Sequence, residues 1–380
     1  MSQILSQVLK PVYKNIIKHY TNKNMVRWCS STSIYPYLSI DHLLNIPESP
    51  DGCVARRSGS DGENEIIIKN KNLAKETLNA MTSGFNQSGV IIRMKEKTIL
   101  RDTEKVRLNI YYKPSNPKAK FVNVHLPPLP KGCQTQNLEM SSLPDLENED
   151  WVVVIKLGSQ LKLYRHKDLR WIDIETGTHE SVSPYSSLMY SKKDQRFYVP
   201  SPGGDWLCSF DQDFEEEEEI ELKYDIMERE DYPQYMLNEL EDMNSFTKID
   251  HLVESPSGEK FLISWYYGDE IALYEGARTV MHRTKRFMVF KEKETENKYK
   301  SMVYTENIGD ICIFLGHGEP LCVPASSSPG LKANCIYFVG HNYGVYDITT
   351  QICTLFSTEE GPLRSNEFPY WPHPFSLTPH

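Results

Sequence analysis

Several common signals of catalysis are missing from this chain. None of its eight cysteines forms a C-x-x-C pair, so the usual structural zinc spacings are excluded. None of its eleven histidines sits in an H-E-x-x-H, and no G-x-S-x-G elbow, kinase set or dinucleotide fingerprint occurs. No apolar run reaches the roughly 18 residues of a membrane-spanning helix. The net charge of −10 leaves no excess of Lys and Arg for a phosphate backbone, so a nucleic-acid partner is not expected. No metal or cofactor is expected either, and the scattered cysteines read as buried reduced thiols.

Acidic residues are absent from the first 40 positions, which hold Lys10, Lys14, Lys18, Lys23 and Arg27. Ile4, Val8, Val12 and Ile16 recur every fourth residue, as do Lys10, Lys14 and Lys18. On a helix the two series fall on different faces. A basic, amphipathic, acid-free segment has the composition of an organelle transit peptide. Residues 1–33 are therefore read as a leader addressed to the mitochondrion, with chloroplast or cytoplasm as alternatives.

The body is rich in the residues of pleated strands, including 22 tyrosines. Residues 47–65 read as a polar loop. Their Gly59-Ser60-Asp61-Gly62 portion resembles a phosphate loop but lacks the Gly-Lys-Ser/Thr ending. A helix is predicted over 71–81, with Leu73, Thr77, Leu78 and Met81 on one side. Beyond it, short β-like runs alternate with turn formers: Val106–Tyr112, Trp151–Leu157, Leu161–Tyr164, Arg196–Val199, Ile311–Leu315, Cys335–Val339 and others. Val152–Lys156 and Leu161–Arg165 form one predicted meander pair around Leu157-Gly158-Ser159. Ile336–Val339 and Val345–Ile348 form another around Gly340–Asn342. Strict alternation is lacking, which fits strands buried on both faces of a propeller blade. A β-sandwich pair is the structural alternative, and no repeat motif fixes the number of blades.

Five successive glutamates, Glu215 to Glu219, lie within the acidic span 211–231. Mutual repulsion keeps such a run solvated, so it is read as an exposed insertion. Asp211-Gln212-Asp213 begins like a calcium loop, but the Gly and closing Glu of that motif are missing. A short helix is predicted over 233–243.

The C-terminal third carries a more specific pattern. Leu331-Lys332-Ala333-Asn334-Cys335-Ile336-Tyr337-Phe338, followed by Gly344-Val345-Tyr346-Asp347, resembles a signature of plant F-box-associated β-propeller proteins, domain-of-unknown-function family 295. Gly309–Gly316, Val323–Ser326 and the closing Pro369-Tyr370-Trp371-Pro372 are similar to the same group. The resemblance implies an all-β propeller and brings no established catalytic residues. Many relatives begin with an F-box, and residues 1–80 lack its Leu/Pro helical pattern. The chain thus resembles an organellar branch without the F-box, and no ubiquitin-ligase adaptor is expected.

These readings divide the chain into a leader (1–33), an N-terminal linker or extension (34–84) and a β-propeller (85–375) containing the acidic insertion (211–231). The expected function is a non-enzymatic scaffold that binds a protein partner. The alternatives are a cytosolic adaptor that has lost its F-box and an enzyme using the propeller channel as its pocket. Propeller loops commonly bind ligands, so 200–204, 266–270, 316–320 and 340–343 are the candidate loops. The binding-residue candidates are His317, Glu319, His341 and Asn342. An enzyme would require His317, Asp310 and Glu319 to converge in one cleft.

Overall fold

The computed structural model describes most of residues 122–355, together with the backbone of six earlier strands and of one strand near the C-terminus. The leader, the predicted helix at 71–80, the glutamate run 215–219 and the residues His317, His341 and Asn342 lie outside the described residues. The chain divides into two units. One is residues 34–378, and the other comprises 1–33 with 379–380.

Runs of Val, Ile, Phe and Tyr become strands, and the strands gather into six sheets. β1 (Tyr37–His42), β2 (Gly52–Arg57) and β3 (Glu65–Lys69) belong to the first. The second holds β4 (Met81–Phe85), β5 (Ile91–Lys97), β6 (Lys105–Tyr112) and β7 (Val122–His125), with β8 (Leu129–Pro130) also on β6. β9 (Asn137–Met140), β10 (Val152–Leu157), β11 (Gln160–Arg165) and β12 (Arg170–Ile174) make the third. β13 (Met189–Ser191), β14 (Arg196–Pro200), β15 (Trp206–Asp211) and β16 (Lys223–Ile226) make the fourth. The fifth contains β17 (Glu228–Glu230), β18 (Thr247–Glu254), β19 (Lys260–Tyr274), β20 (Ala277–Glu294) and β21 (Lys300–Tyr304). The sixth contains β22 (Ile311–Leu315), β23 (Leu321–Pro324), β24 (Cys335–Val339), β25 (Tyr343–Asp347) and β26 (Ile352–Leu355). Finally β27 (Glu367–Tyr370) returns to pair with β1, Ser39 opposite Tyr370.

The result is a β-propeller. One end strand of each sheet touches the equivalent strand of the next: β4 meets β9, β9 meets β13, β13 meets β18, and β18 meets β23. Pairing of the last strand with the first closes the ring and leaves fewer open edges.

β10 explains why the strands do not alternate. Val153 and Ile155 pack into one core with Leu138, Trp151 and Tyr164. Val152 and Val154 pack on the other side with Leu188, Phe197 and Phe210 of the fourth sheet. Both faces of the strand are therefore buried, each large apolar side chain contributing roughly 1.5–3 kcal/mol. The hairpin to β11 is the predicted one, with Leu157 opposite Gln160 and Gly158 at φ +66°. A positive φ at that turn suits glycine, which has no Cβ to clash.

Several expectations need correction. The stretch 34–84, read as a linker or extension, holds β1 to β3 and the start of β4, the first three closing the ring with β27. Met81 starts a strand rather than ending a helix. Residues 266–270, read as a loop, belong to β19, which continues opposite β20 to Tyr274 across a bulge at Tyr266/Tyr267. Part of the acidic span is also strand, since β16 and β17 fall within 211–231. The predicted helix at 233–243 agrees with the helical backbone of Tyr235, Leu240 and Met243.

Candidate functional site at the propeller axis

The signature residues of the sixth sheet are committed to its architecture. β24 runs parallel to β22, so the chain must travel back before it re-enters the sheet. Asn334 takes the sharp left-handed turn that starts β24, at φ 57°. Its Oδ1 accepts the Ile308 N–H at 2.7 Å. Its Nδ2 donates to the Glu306 carbonyl at 2.9 Å and to Thr349 Oγ1 at 2.7 Å. One side chain thus ties three segments together. The Lys332 N–H donates to Tyr337 Oη at 2.9 Å. A Cβ at Gly344 would lie 2.3 Å from the Thr354 carbonyl oxygen, so β26 can approach only a glycine there. Asp347 accepts the Thr350 N–H at 2.8 Å and shapes the turn into β26.

Four of the eight cysteines, Cys208, Cys312, Cys322 and Cys335, are buried free thiols, and Cys353 is a half-buried one. Burial pushes Cys208 and Cys312 up to about 12 and Cys335 and Cys353 up to about 11. All remain protonated at neutral pH, which disfavours nucleophilic use.

Ionisable groups without surface access collect on the inner strands. Glu139 on β9 is fully buried. Among the described residues no N–H reaches either of its carboxylate oxygens. The group that acts on it is the carboxyl of Glu319, two residues before β23. Burial first, then the nearby Glu319 carboxyl, hold Glu139 well above the usual carboxylate range, while Lys192 pulls it down. Two carboxyls in contact need a proton between them. β9 and β23 belong to the third and sixth of six sheets, which face each other across the ring. Their carboxyl pair therefore spans the axis.

Two further buried groups lie nearby in the fold. Lys156, opposite Asn137 in the β9–β10 ladder, is fully buried and donates to the Pro184 carbonyl at 3.1 Å. Burial lowers its ammonium to about 8. His251 on β18 is buried beside Trp265, ring centroids 6.0 Å apart, and neither ring nitrogen has a partner among the described residues. Burial, with the Lys156 charge second, lowers it to about 4, so the imidazole is neutral.

Of the binding candidates read from the sequence, Glu319 is placed at this axial pair. The proposed catalytic grouping does not form. Asp310 precedes β22 and accepts the Ser326 hydroxyl at 2.6 Å, whereas Glu319 lies past the other end of that strand. Five strand residues separate the two by roughly 17 Å. Glu139, Lys156 and His251 were not found from the sequence. Each is a polar residue among the apolar ones of a strand-like run, a pattern equally typical of a solvated face. Among the described residues no three His, Cys, Asp or Glu side chains lie close enough to share a metal ion.

A KIB1-4 β-propeller family model matches residues 100–347, well over half the chain. The chain belongs to the KIB1-4 β-propeller family. The matched region runs from just before β6 to Asp347, the last residue of β25, and so includes Asn334, Gly344 and both axial carboxyls. No curated protein matches the sequence. Among solved structures, the chain is similar to a periplasmic gluconolactonase, PpgL, of Pseudomonas aeruginosa. That likeness has 9% identity and a TM-score of 0.33, covering 88% of this chain and 98% of that one. It is also similar to a putative 6-phosphogluconolactonase of Bacteroides fragilis, at 12% identity and a TM-score of 0.32, covering 86% and 96%. Likenesses of this size carry nothing about activity. Among the described residues no helix is long and apolar enough to cross a membrane.

Proposed function

We propose that this KIB1-4 propeller is a non-enzymatic scaffold that binds a protein partner, and that residues 1–33 address it to the mitochondrion. The observation that carries the first part is the Glu139–Glu319 pair across the axis. It occupies, with side chains of the fold itself, the place where a channel enzyme would seat its substrate. The separation of Asp310 from Glu319 supports the same reading. The leader's basic, acid-free, amphipathic composition supports the address. Kinship with the F-box-associated family 295 rests on the sixth-sheet signature.

Affinity capture from purified mitochondria with the full chain tests the scaffold. A stoichiometric partner is expected, and no ubiquitin-ligase adaptor. Recovery of import and chaperone machinery alone counts against it. Fluorescent fusions with and without residues 1–33 test the address, and the same destination for both refutes it.

The raised titration of Glu139 favours a second reading, an enzyme whose acid is Glu139, because perturbed titration clusters at active sites. Partner capture that survives Glu139→Gln and Glu319→Gln unchanged supports the scaffold against it.

A further inference from the structure

The parallel pairing of β22 with β24 sets Cys312 directly opposite Cys335. Both side chains enter the same core cluster, together with Phe314, Tyr337 and Val339. The next opposed pair on that face, Phe314 and Tyr337, stacks its rings with centroids 4.8 Å apart and planes 11° apart. Opposed side chains on this face therefore stand side by side at one strand spacing. Cys312 and Cys335 hold the equivalent positions two residues earlier on each strand. A spacing of roughly 4.7–4.9 Å between strands puts their Cα atoms inside the window of about 4.4–6.8 Å that disulfides require. After burial, the Cys335 charge is the next cause that raises Cys312, which agrees with this proximity. In the thiol form Cys312 Sγ donates a weak contact to the Val323 carbonyl at 3.5 Å.

The other described cysteines have no such counterpart. Cys322 lies opposite Ile313 and Cys353 opposite Tyr346, and both pack in the core on the other face of the sheet. Cys208 belongs to the fourth sheet, opposite Val199 and Tyr224. Among the described residues, one cysteine pair alone is aligned for bonding.

We propose that Cys312 and Cys335 are an oxidation site, at which a peroxide joins β22 to β24 through a disulfide. The Cys335 thiolate takes one peroxide oxygen, becomes a sulfenic acid and releases hydroxide. Cys312 then attacks that sulfur, forming the S–S bond and expelling the second oxygen as hydroxide. The two thiol protons turn the hydroxides into two waters. The sulfurs are oxidised and the peroxide oxygens reduced. Parallel neighbours keep their Cβ atoms near the strand spacing, beyond the usual separation of roughly 3.5–4.5 Å, so the bond is strained and readily reduced. The staple is thus reversible. The loop it closes contains β23 and Glu319, so oxidation ties down the connection that carries the axial carboxyl.

Both sulfurs are buried, so the oxidant must be small and the reaction is slow. The full chain is incubated with hydrogen peroxide at pH 8.5, where more thiol is ionised, then denatured and alkylated with iodoacetamide. Non-reducing peptide mapping by mass spectrometry finds a Cys312–Cys335 linkage in the wild type, in Cys322→Ala and in Cys353→Ala. The linkage is absent from Cys312→Ala and Cys335→Ala, and dithiothreitol reverses it in the wild type. Oxidation raises the unfolding midpoint of the wild type by a few degrees. It does not raise that of the double variant with Cys312→Ala and Cys335→Ala, which controls for methionine oxidation.

Recovery of both thiols in alkylated form overturns the proposal, as do separate sulfinic acids at the two positions. A linkage through Cys322 or Cys353 instead, a linkage found only between two chains, or one that forms only in urea overturns it too.

Discussion

The buried Glu139 carboxyl of the third sheet is pushed toward its neutral form by the Glu319 carboxyl of the sixth. Glu139 titrates above an unfolded glutamate, so the folded chain holds a proton that the unfolded chain has released. Between the ordinary carboxylate range and the raised value, the folded state binds more protons, and stability falls as pH rises. Glu139→Gln keeps the shape of the protonated acid and supplies an N–H to Glu319. At pH 7 it is expected to stabilise the fold, since the neutral amide has no proton to take up on folding and no charge to desolvate. The gain shrinks toward pH 4, where wild-type Glu139 is protonated. Chemical denaturation at both pH values checks this, and an equal gain at both would refute the shared proton.

His251 acts in the opposite direction. It is lowered to about 4, so between about 4 and 6.5 the unfolded chain binds the proton that the folded chain refuses. Stability contributed by neutral His251 is present above 6.5 and is lost as pH falls through that window, up to about 3 kcal/mol. His251→Leu is expected to flatten this part of the profile. It strands no hydrogen bond among the described residues, because neither ring nitrogen has a partner there. The measurement is the slope of unfolding free energy against pH in the two proteins.

Asn334 has a backbone task and a side-chain task, and two substitutions separate them. Asn334→Ala loses both the left-handed tolerance and the three hydrogen bonds to Ile308, Glu306 and Thr349. A cost of about 3 kcal/mol is expected, since each lost bond costs roughly 0.5–1.5 and an unsatisfied N–H adds to it. Asn334→Gly restores the backbone conformation and recovers about 1 kcal/mol of this. If Gly restores full stability, the side chain is not a clamp.

The same residue shows what a sequence can reveal. Asn334, Gly344 and Asp347 stand out in the chain because their jobs are local: a left-handed turn, a close approach, a capped bend. Such tasks admit few residue types, so they leave a recognisable pattern, and the propeller was legible from them. β10 was legible as well, since burial on both faces demands a continuous apolar run. The strands β1 to β3 and β18 carry charged and polar residues among their apolar ones, Arg56, Arg57, Asp250 and His251 among them, and they resemble loops until their partners are known. The axial pair was beyond reach for a different reason. Glu139 and Glu319 are 180 positions apart, and their encounter depends on ring closure rather than on any local spacing.

Lys156 is a second buried ionisable group whose removal can be read in stability against pH. Its Nζ is buried and donates to the Pro184 carbonyl, and burial lowers it to about 8. A base lowered from 10.5 to about 8 is bound less tightly by the folded chain, so stability rises with pH across that window. Lys156→Met has similar volume and no charge to desolvate. It is expected to abolish that alkaline rise. At pH 7 it also stabilises the fold by roughly 1–2 kcal/mol, the relief of about 3 less the lost hydrogen bond and the stranded carbonyl. The substitution has a remote consequence as well. The Lys156 charge is one of the two causes that keep His251 low, so its removal raises the His251 titration. Following the His251 ring resonances by NMR from pH 3 to 7 measures this directly. An unmoved titration in Lys156→Met would mean that burial alone holds the imidazole neutral.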